Sequence, residues 1–256
     1  MPYLLHTEAD TCLYPGARPT LSPADFLAAV GLWRTHLHAL HQRSPVNLFE
    51  ILGMRNLSAF VGEMYTASLL AVAGDKLLKN PHQDGSPDLL LRDAEGQALL
   101  DALKMDQRME DKAPFSPFPG GGLEIKATCG AVPSPAQCRE LGWARPGLGD
   151  TRLHLLQSYD WKAHHRETIN LVGLVWDFHE RLPEIVGIFF GNRLESADWS
   201  PVVQPKEGGG RTTSVSVLKR RGVRKMYENW LLVREDYLEF FDDYHGQTRM
   251  QDYRRR

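Results

Sequence analysis

Apolar residues recur at intervals of three and four positions in two stretches of the N-terminal third of the chain. The spacing predicts a helix over residues 22–41, with Ser22 as its N-cap and Pro23 at its first position. Its apolar stripe consists of Phe26, Val30, Trp33, Leu37 and Leu40. A second helix is predicted from Asn56 to about Ala73, where Gly74 provides a stop. Together they predict an N-terminal helical part of about residues 1–75.

Short apolar runs bounded by turn residues predict the strands. These runs cover residues 88–91, 97–103, 123–128, 168–178 and 184–190, with a strand or hairpin at 214–218. Residues 84–87 form a turn before the first run, and residues 93–96 are expected to connect the first two runs as a hairpin. Two further helices are expected at 151–166 and 237–244.

Two stretches rich in proline and glycine predict irregular connections. Residues 104–122 are expected to form a long loop, and residues 133–150 an irregular segment. This order of helices and strands is typical of an α/β protein built in layers. The length of 256 residues favours one domain over residues 1–256, with a core at about 56–190 and a C-terminal part at about 191–256.

The composition narrows the class of protein. With 42% hydrophobic and 24% charged residues, the chain is neither fibrous nor wholly disordered. No apolar run approaches the length of a membrane span and the start does not resemble a signal peptide, so we expect a cytoplasmic protein without a membrane partner. The three cysteines cannot build a disulfide framework or a four-cysteine zinc site, so reduced, structural thiols are expected.

The net charge of −2 does not indicate a polyanionic partner, but the distribution of charge does. Residues 211–225 contain no acidic residue and follow the glycines of residues 208–210. The basic residues of this run are Arg211, Lys219, Arg220, Arg221, Arg224 and Lys225. They predict a DNA-contacting surface, although such a run can also be an ordinary solvated face. Residues 128–145 are a second candidate for groove contacts, through Thr128, Ser134, Gln137, Arg139 and Arg145.

The residues that suggest chemistry are Pro87-Asp88 and Glu124-Ile125-Lys126. Side chains two apart on a strand share a face, so Glu124 and Lys126 are predicted to project together while Ile125 enters the core. If the strand of Asp88 pairs beside that of Glu124, two carboxylates converge near one ammonium. Such oxygen ligands suit a hard divalent cation, and the lysine could orient or deprotonate a water that attacks a phosphodiester.

Through these residues the chain resembles the PD-(D/E)XK nuclease superfamily. The resemblance implies the restriction-endonuclease-like fold, a central mixed β-sheet flanked by helices. It also implies Mg²⁺-dependent phosphodiester hydrolysis, with Mn²⁺ as an alternative ion, and catalytic roles for Asp88, Glu124 and Lys126. Glu63, on the helix before the strand of Asp88, corresponds to a further metal ligand found in many members.

Several alternatives remain for these residues. The separation of Asp88 and Glu124 is long (124 − 88 = 36 residues), so Asp101 is a rival for the catalytic aspartate. Glu124 and Lys126 could instead form an ordinary cross-strand salt bridge, Asp88 could cap a turn, and Glu63 could lie on a solvated helix face.

Within the superfamily, a chain of this size looks most like a type II restriction endonuclease that cuts double-stranded DNA as a homodimer. No nucleotide cofactor is expected, because the glycines of residues 120–122 lack the lysine and helix of a phosphate-binding loop. The alternatives are a repair or junction-resolving nuclease with the same site, and a DNA-binding module without catalysis.

Overall fold

The computed structural model describes residues 2–14, 16, 18–19, 21–156, 161–163, 166–205 and 214–245. Its helices are α1 (Pro23–Arg43), α2 (Leu48–Ile51), α3 (Met54–Ala73), α4 (Ala94–Met105), α5 (Pro135–Glu140), α6 (Arg220–Glu228) and α7 (Leu238–His245). The first strands are β1 (Tyr3–Leu5), β2 (Cys12–Leu13), β3 (Arg18–Pro19), β4 (Leu77–Lys79), β5 (Leu89–Leu91) and β6 (Gly122–Thr128). The later strands are β7 (Lys162–Ala163), β8 (Leu171–His179), β9 (Leu182–Gly191), β10 (Ser216–Val217) and β11 (Trp230–Arg234).

Seven strands form a mixed central sheet in the order β1-β11-β9-β8-β6-β5-β4. β6 and β8 are parallel, and the other neighbouring pairs of this sheet are antiparallel. β4, β5 and β6 form an antiparallel meander, although α4 and a long connection separate β5 from β6 along the chain. The expected α/β class, with a mixed sheet flanked by helices, is confirmed.

The two faces of the sheet are covered differently. On the first face, α1 and α3 pack against alternate strand residues, among them Leu123 and Ile125 of β6. On the opposite face, the apolar cover is split into two clusters. One contains Leu90, Leu100 and the two phenylalanines Phe115 and Phe118, and the other joins β8, β9 and β11 to α6 and α7. The side chains of Glu124 and Lys126 project from this second face, since strand residues alternate.

Most predicted elements are present. The helices predicted at 22–41 and 56–73 correspond to α1 and α3, and Ser22 caps α1 through a reciprocal capping box with Asp25. The predicted strands at 88–91, 123–128, 168–178, 184–190 and 214–218 and the helix at 237–244 are also confirmed. Among the described residues, no helix is long and apolar enough to cross a membrane.

The strand predicted at 97–103 is wrong, because these residues lie in α4. Asp93 accepts a hydrogen bond from the backbone N–H of Gly96 at 2.9 Å and so caps the helix. Leu99, Leu100 and Leu103 then fall on one helical face, which packs under β5. The predicted long loop at 104–122 is present, and it carries the buried Phe115 and Phe118.

The helix predicted at 151–166 is also wrong within its described residues, which contain a 3-10 turn at Leu153–Leu155 and β7. The buried carboxylate of Asp177 explains the difference. It accepts hydrogen bonds from the backbone N–H groups of Arg152 at 3.0 Å, Leu153 at 3.2 Å and Phe178 at 2.8 Å, and from the hydroxyl of Tyr237 at 3.1 Å. These bonds draw the chain against the end of β8.

Replacing Asp177 should therefore destabilise the fold. We expect Asp177→Ala to lower the free energy of unfolding by about 3 kcal/mol, because buried N–H and O–H groups lose their acceptor. Urea unfolding measures the change. Asp101→Ala on the exposed face of α4 is the matched control and should change stability by less than about 0.5 kcal/mol. Equal stability of the two variants would contradict this account of residues 151–166.

Candidate functional site

Asp88 stands immediately before β5, at the point where this strand meets β6. The register pairs Leu89 with Leu123 and Leu90 with Gly122, which carries Asp88 to the position beside Glu124. Gly122 allows the backbones of β5 and β6 to approach closely here. Its φ is +155°, and a Cβ at this position would lie 2.0 Å from the carbonyl oxygen of Leu89. The predicted pairing of the two strands is confirmed.

Hydrogen bonds hold Asp88 in this position. Its Oδ2 accepts from the backbone N–H of Ile125 at 2.7 Å and from Lys126 Nζ at 3.4 Å. Lys126 Nζ also lies 2.7 Å from Glu124 Oε1. One ammonium therefore contacts both carboxylates.

The three side chains differ in exposure. That of Glu124 is 6% exposed, whereas those of Lys126 and Asp88 are 25% and 28% exposed. Ile125, between Glu124 and Lys126, packs in the core on the other face, as the alternation predicts. The ion cluster thus lies between the two apolar clusters of the second face, partly buried but open to solvent at Asp88 and Lys126.

Burial and mutual repulsion govern the electrostatics of the cluster. Desolvation and the nearby Glu124 carboxylate raise the pKa of Asp88 to about 6, although Lys126 and the N–H of Ile125 oppose the shift. Burial disfavours the charged form of Lys126, but Glu124 and Asp88 outweigh this effect and raise the pKa of its ammonium above the ordinary value. Lys126 is therefore charged at neutral pH, and the two carboxylates surround a positive charge.

The donor set fits Mg²⁺, which proteins commonly hold through one or two carboxylates completed by water and substrate phosphate. Asp88 and Glu124 are the two groups that would hold it. The described residues contain no cluster of three or more acidic, histidine or cysteine side chains arranged for a metal. The cation that the two carboxylates contact in the structure is the Lys126 ammonium.

The structure does not bring Glu63 to this pair. Glu63 is exposed on α3 and lies 3.3 Å from Lys79 Nζ in a surface ion pair. The neighbouring Gly62 faces Ala127, which alternates with Lys126 on β6, so α3 covers the opposite face of the sheet from the carboxylates. The physical reason is that this helix packs on the apolar face, where Leu123 and Ile125 lie.

Asp101 is likewise outside the cluster. Its carboxylate is exposed on α4, where it accepts a hydrogen bond from Gln97 at 2.8 Å and lies 3.8 Å from Lys104 Nζ. Of the two rival aspartates, Asp88 is the one that meets Glu124 and Lys126.

A surface pocket adjoins the carboxylate of Glu124. Its polar lining includes Ser86, Thr168 and Asn170, and its rings come from Tyr14 and Phe118. Ser86 Oγ lies 3.5 Å from Glu124 Oε2, and the buried Thr168 hydroxyl has no hydrogen-bond partner among the described residues. Sequence reasoning missed these residues, because a lone serine, threonine or asparagine at a strand end has no distinctive pattern.

Several side chains of the predicted basic surface already form ion pairs or hydrogen bonds within the protein. Lys219, Arg220, Arg221, Arg224 and Lys225 lie at or on α6, whereas Arg211 and the glycines of residues 208–210 lie outside the described residues. Arg221 and Lys225 lie 3.0 Å and 2.7 Å from the two oxygens of the buried Asp198. Arg224 pairs with Glu228, and Lys219 donates to the carbonyl of Ala197. Arg221 and Lys225 thus attach α6 to the core, and DNA contact by this run stays a prediction.

Comparison of the chain with protein-family models, with curated proteins and with solved structures finds no match.

The cluster makes a direct prediction for the titration of Asp88. In the metal-free protein, the carboxyl carbon of Asp88 should titrate near the pKa of about 6 in a ¹³C NMR experiment. Glu124→Gln should lower this pKa by removing the repelling charge, and Lys126→Met should raise it. Asp88→Asn assigns the resonance.

The same shift predicts the sign of the stability change with pH. Between about pH 4, where an unfolded aspartate ionises, and the folded pKa of about 6, only the unfolded state releases the proton. The stability of the wild type relative to Asp88→Asn should therefore fall as pH rises through this interval. An Asp88 that titrates like a free aspartate, or is unchanged by Glu124→Gln, would contradict the electrostatic description.

Proposed function

We propose that this protein is a Mg²⁺-dependent endonuclease of the PD-(D/E)XK type that hydrolyses phosphodiester bonds in double-stranded DNA. The observation that carries the proposal is the convergence of Asp88 and Glu124 on Lys126, across the β5–β6 pair and on the open part of one sheet face. The antiparallel meander followed by the parallel β8, with helices on both sides, supports a restriction-endonuclease-like arrangement.

The alternative of an ordinary surface salt bridge agrees poorly with the burial of the cluster. Exposed pairs are solvated on both sides and contribute little to stability. Here one carboxylate is almost fully buried, and a second carboxylate with a raised pKa lies beside it. Like charges brought together in this way are costly to the fold and are typical of sites that bind a cation or transfer protons.

Each residue then has a separate task. Asp88 and Glu124 would hold the ion, whose chemistry is to polarise the phosphate and stabilise the leaving oxygen. Ile125 fixes the Asp88 carboxylate through its backbone N–H. Lys126 is charged, so we assign it the orientation of the attacking water and stabilisation of the developing negative charge, in preference to proton abstraction.

Sequence-specific cleavage by a type II restriction endonuclease is the form of this activity that we favour. Cutting both strands of a palindromic site requires one catalytic cluster per strand, which a homodimer supplies. A cytoplasmic location agrees with this role, since the substrate is DNA inside the cell.

Cleavage of a long bacteriophage DNA tests the proposal. We expect discrete fragments with Mg²⁺ and intact DNA with a chelator. Asp88→Asn and Lys126→Met should each slow cleavage at least about 100-fold, because they remove a metal ligand and the charged group at the reacting phosphate. Gel electrophoresis and fragment-end mapping provide the measurement.

The matched controls are Asp101→Asn and Lys104→Met, an aspartate and a lysine on the exposed surface of α4, which should cleave at the wild-type rate. Full cleavage by folded Asp88→Asn and Lys126→Met would refute the catalytic assignment. A smear in place of discrete bands would favour a structure-directed or nonspecific nuclease. Salt-sensitive binding without cleavage would favour a DNA-binding module.

The raised pKa of Asp88 gives a second test, through the dependence of cleavage on pH. At limiting Mg²⁺ the rate should increase as pH rises through about 6, because protonated Asp88 cannot bind a cation. At higher Mg²⁺ the rise should move to lower pH, because the ion competes with the proton. Rates measured at two Mg²⁺ concentrations check this, and an identical midpoint at both would count against Asp88 as a ligand.

A further inference from the structure

The segment of residues 134–147, which we call the exit arm, follows the strand that carries Glu124 and Lys126. β6 ends at Thr128, two residues beyond Lys126 and on the same face, which is about 7 Å along a strand. The arm begins after this end, with α5, and the chain then returns to the core at Leu148. The arm therefore leaves the sheet at the Thr128 end of β6, and its returning side lies beside the β8–β9 turn, where Arg181 donates to the carbonyl of Leu148 at 3.3 Å.

The arm is anchored so that its tip remains exposed. Cys138 is buried, and its carbonyl accepts a hydrogen bond from the N–H of Trp143 at 2.8 Å, closing a tight turn. Gly142 supplies the positive φ of +67° that this turn requires. On the returning side, Arg152 Nη2 donates to the carbonyl of Gly147 at 2.6 Å. Between these anchors, the side chains of Leu141 and Trp143 remain 49% and 45% exposed.

Three of the polar side chains that the sequence suggests for groove contacts form hydrogen bonds within the arm or at its base instead. Ser134 and Gln137 form a reciprocal capping box at the start of α5, and Thr128 accepts from the N–H of Gly130. Arg139 and Arg145 form no ion pair or side-chain hydrogen bond with any residue that the structure describes. They differ in this from Arg221 and Lys225, whose charges are satisfied by Asp198.

We propose that the exit arm contacts DNA beyond the Thr128 end of β6, along the duplex from the phosphate held at the Asp88 cluster, with Arg139 and Arg145 on the phosphate backbone and Trp143 against a base or sugar. The inference rests on the proposed nuclease function and adds a surface for substrate binding. Each strand of a duplex carries one phosphate per about 3.4 Å of helix axis, so several phosphates lie on either side of the one at the cluster.

The chemistry of the arm suits DNA better than a second copy of the chain. Arg139, Arg145 and Glu140 give the arm a net positive charge, and planar guanidinium groups match phosphate oxygens. An aromatic side chain buries about 150–250 Å², so Leu141 and Trp143 supply only a fraction of the roughly 1,200 Å² that a stable dimer needs. Trp143 beside two arginines instead combines a stacking surface with phosphate-binding groups.

Tryptophan fluorescence tests the proposal with unusual selectivity. The chain has six tryptophans, and the other five, Trp33, Trp161, Trp176, Trp199 and Trp230, are buried. Acrylamide should therefore quench a component of the emission that Trp143→Phe lacks. Adding a DNA duplex in the presence of chelator, which prevents cleavage, should change the emission of this component and protect it from acrylamide.

The arginines are tested by the salt dependence of binding. Arg139→Ala and Arg145→Ala should each weaken DNA binding and reduce the slope of log K against log salt by about 1, as expected for loss of a phosphate contact. Trp143→Phe should preserve the slope. Arg92→Ala is the matched control, since the exposed Arg92 donates to the carbonyl of Gly74 at the end of α3 remote from the arm, and it should bind like the wild type.

The outcomes separate this inference from the proposed function. DNA binding and cleavage with unchanged Trp143 emission and unaffected arginine variants would overturn the role of the arm and preserve the nuclease. Arm-dependent binding without cleavage under any condition would support the arm and overturn the nuclease. Loss of a dimer, with unaltered DNA binding, in Trp143→Ala would identify the arm as a self-interface and overturn the inference.

Discussion

The constraint on which this site depends is the placement of two carboxylates around one ammonium on a partly buried sheet face. Asp88 and Glu124 repel one another and have lost part of their hydration, so a cation between the two ionised carboxylates stabilises the arrangement. Lys126 supplies that charge at 2.7 Å and 3.4 Å. Lys126 lies on the same strand as Glu124, and the pairing of β5 with β6 brings Asp88 to them. These two strands therefore place the positive charge beside both carboxylates.

The division of the sheet into two unlike faces decides where such a cluster can exist. Next to β6, α1 and α3 cover the first face with apolar side chains, which leaves no place for an ion cluster there. The second face carries two separate apolar clusters, one around α4 and the other around α6 and α7. Charged groups at the junction of the two retain contact with water at one side, which limits the cost of their desolvation. Asp88, Glu124 and Lys126 lie in this gap in the apolar cover.

The placement of carboxylates also explains why the charges of two basic segments differ in their pairing. α6 is rich in arginine and lysine, but the buried carboxylate of Asp198 takes up the charges of Arg221 and Lys225, and their contribution is to attach the helix. The exit arm has fewer cations, but Arg139 and Arg145 face no acidic side chain among the described residues and remain available. The number of basic residues in a segment therefore overstates the number of charges that the fold leaves unpaired.

The sequence by itself determined the local features: α1 and α3 from their apolar stripes, the alternation that sets Glu124 and Lys126 on one face, and the identity of the acidic and basic groups. These features depend on neighbours within a few residues, which periodicity records.

Tertiary structure decided which distant residues meet. The β5–β6 register selected Asp88 over Asp101, and the packing of α3 on the opposite face separated Glu63 from the pair. Asp177 and Asp198 are buried acceptors far along the chain from their partners. Asp177 determined the course of residues 151–156, and Asp198 paired with cations of the basic run on α6. Long-range hydrogen bonds and ion pairs of this kind leave no periodic trace in a sequence, because each joins residues whose spacing along the chain is arbitrary.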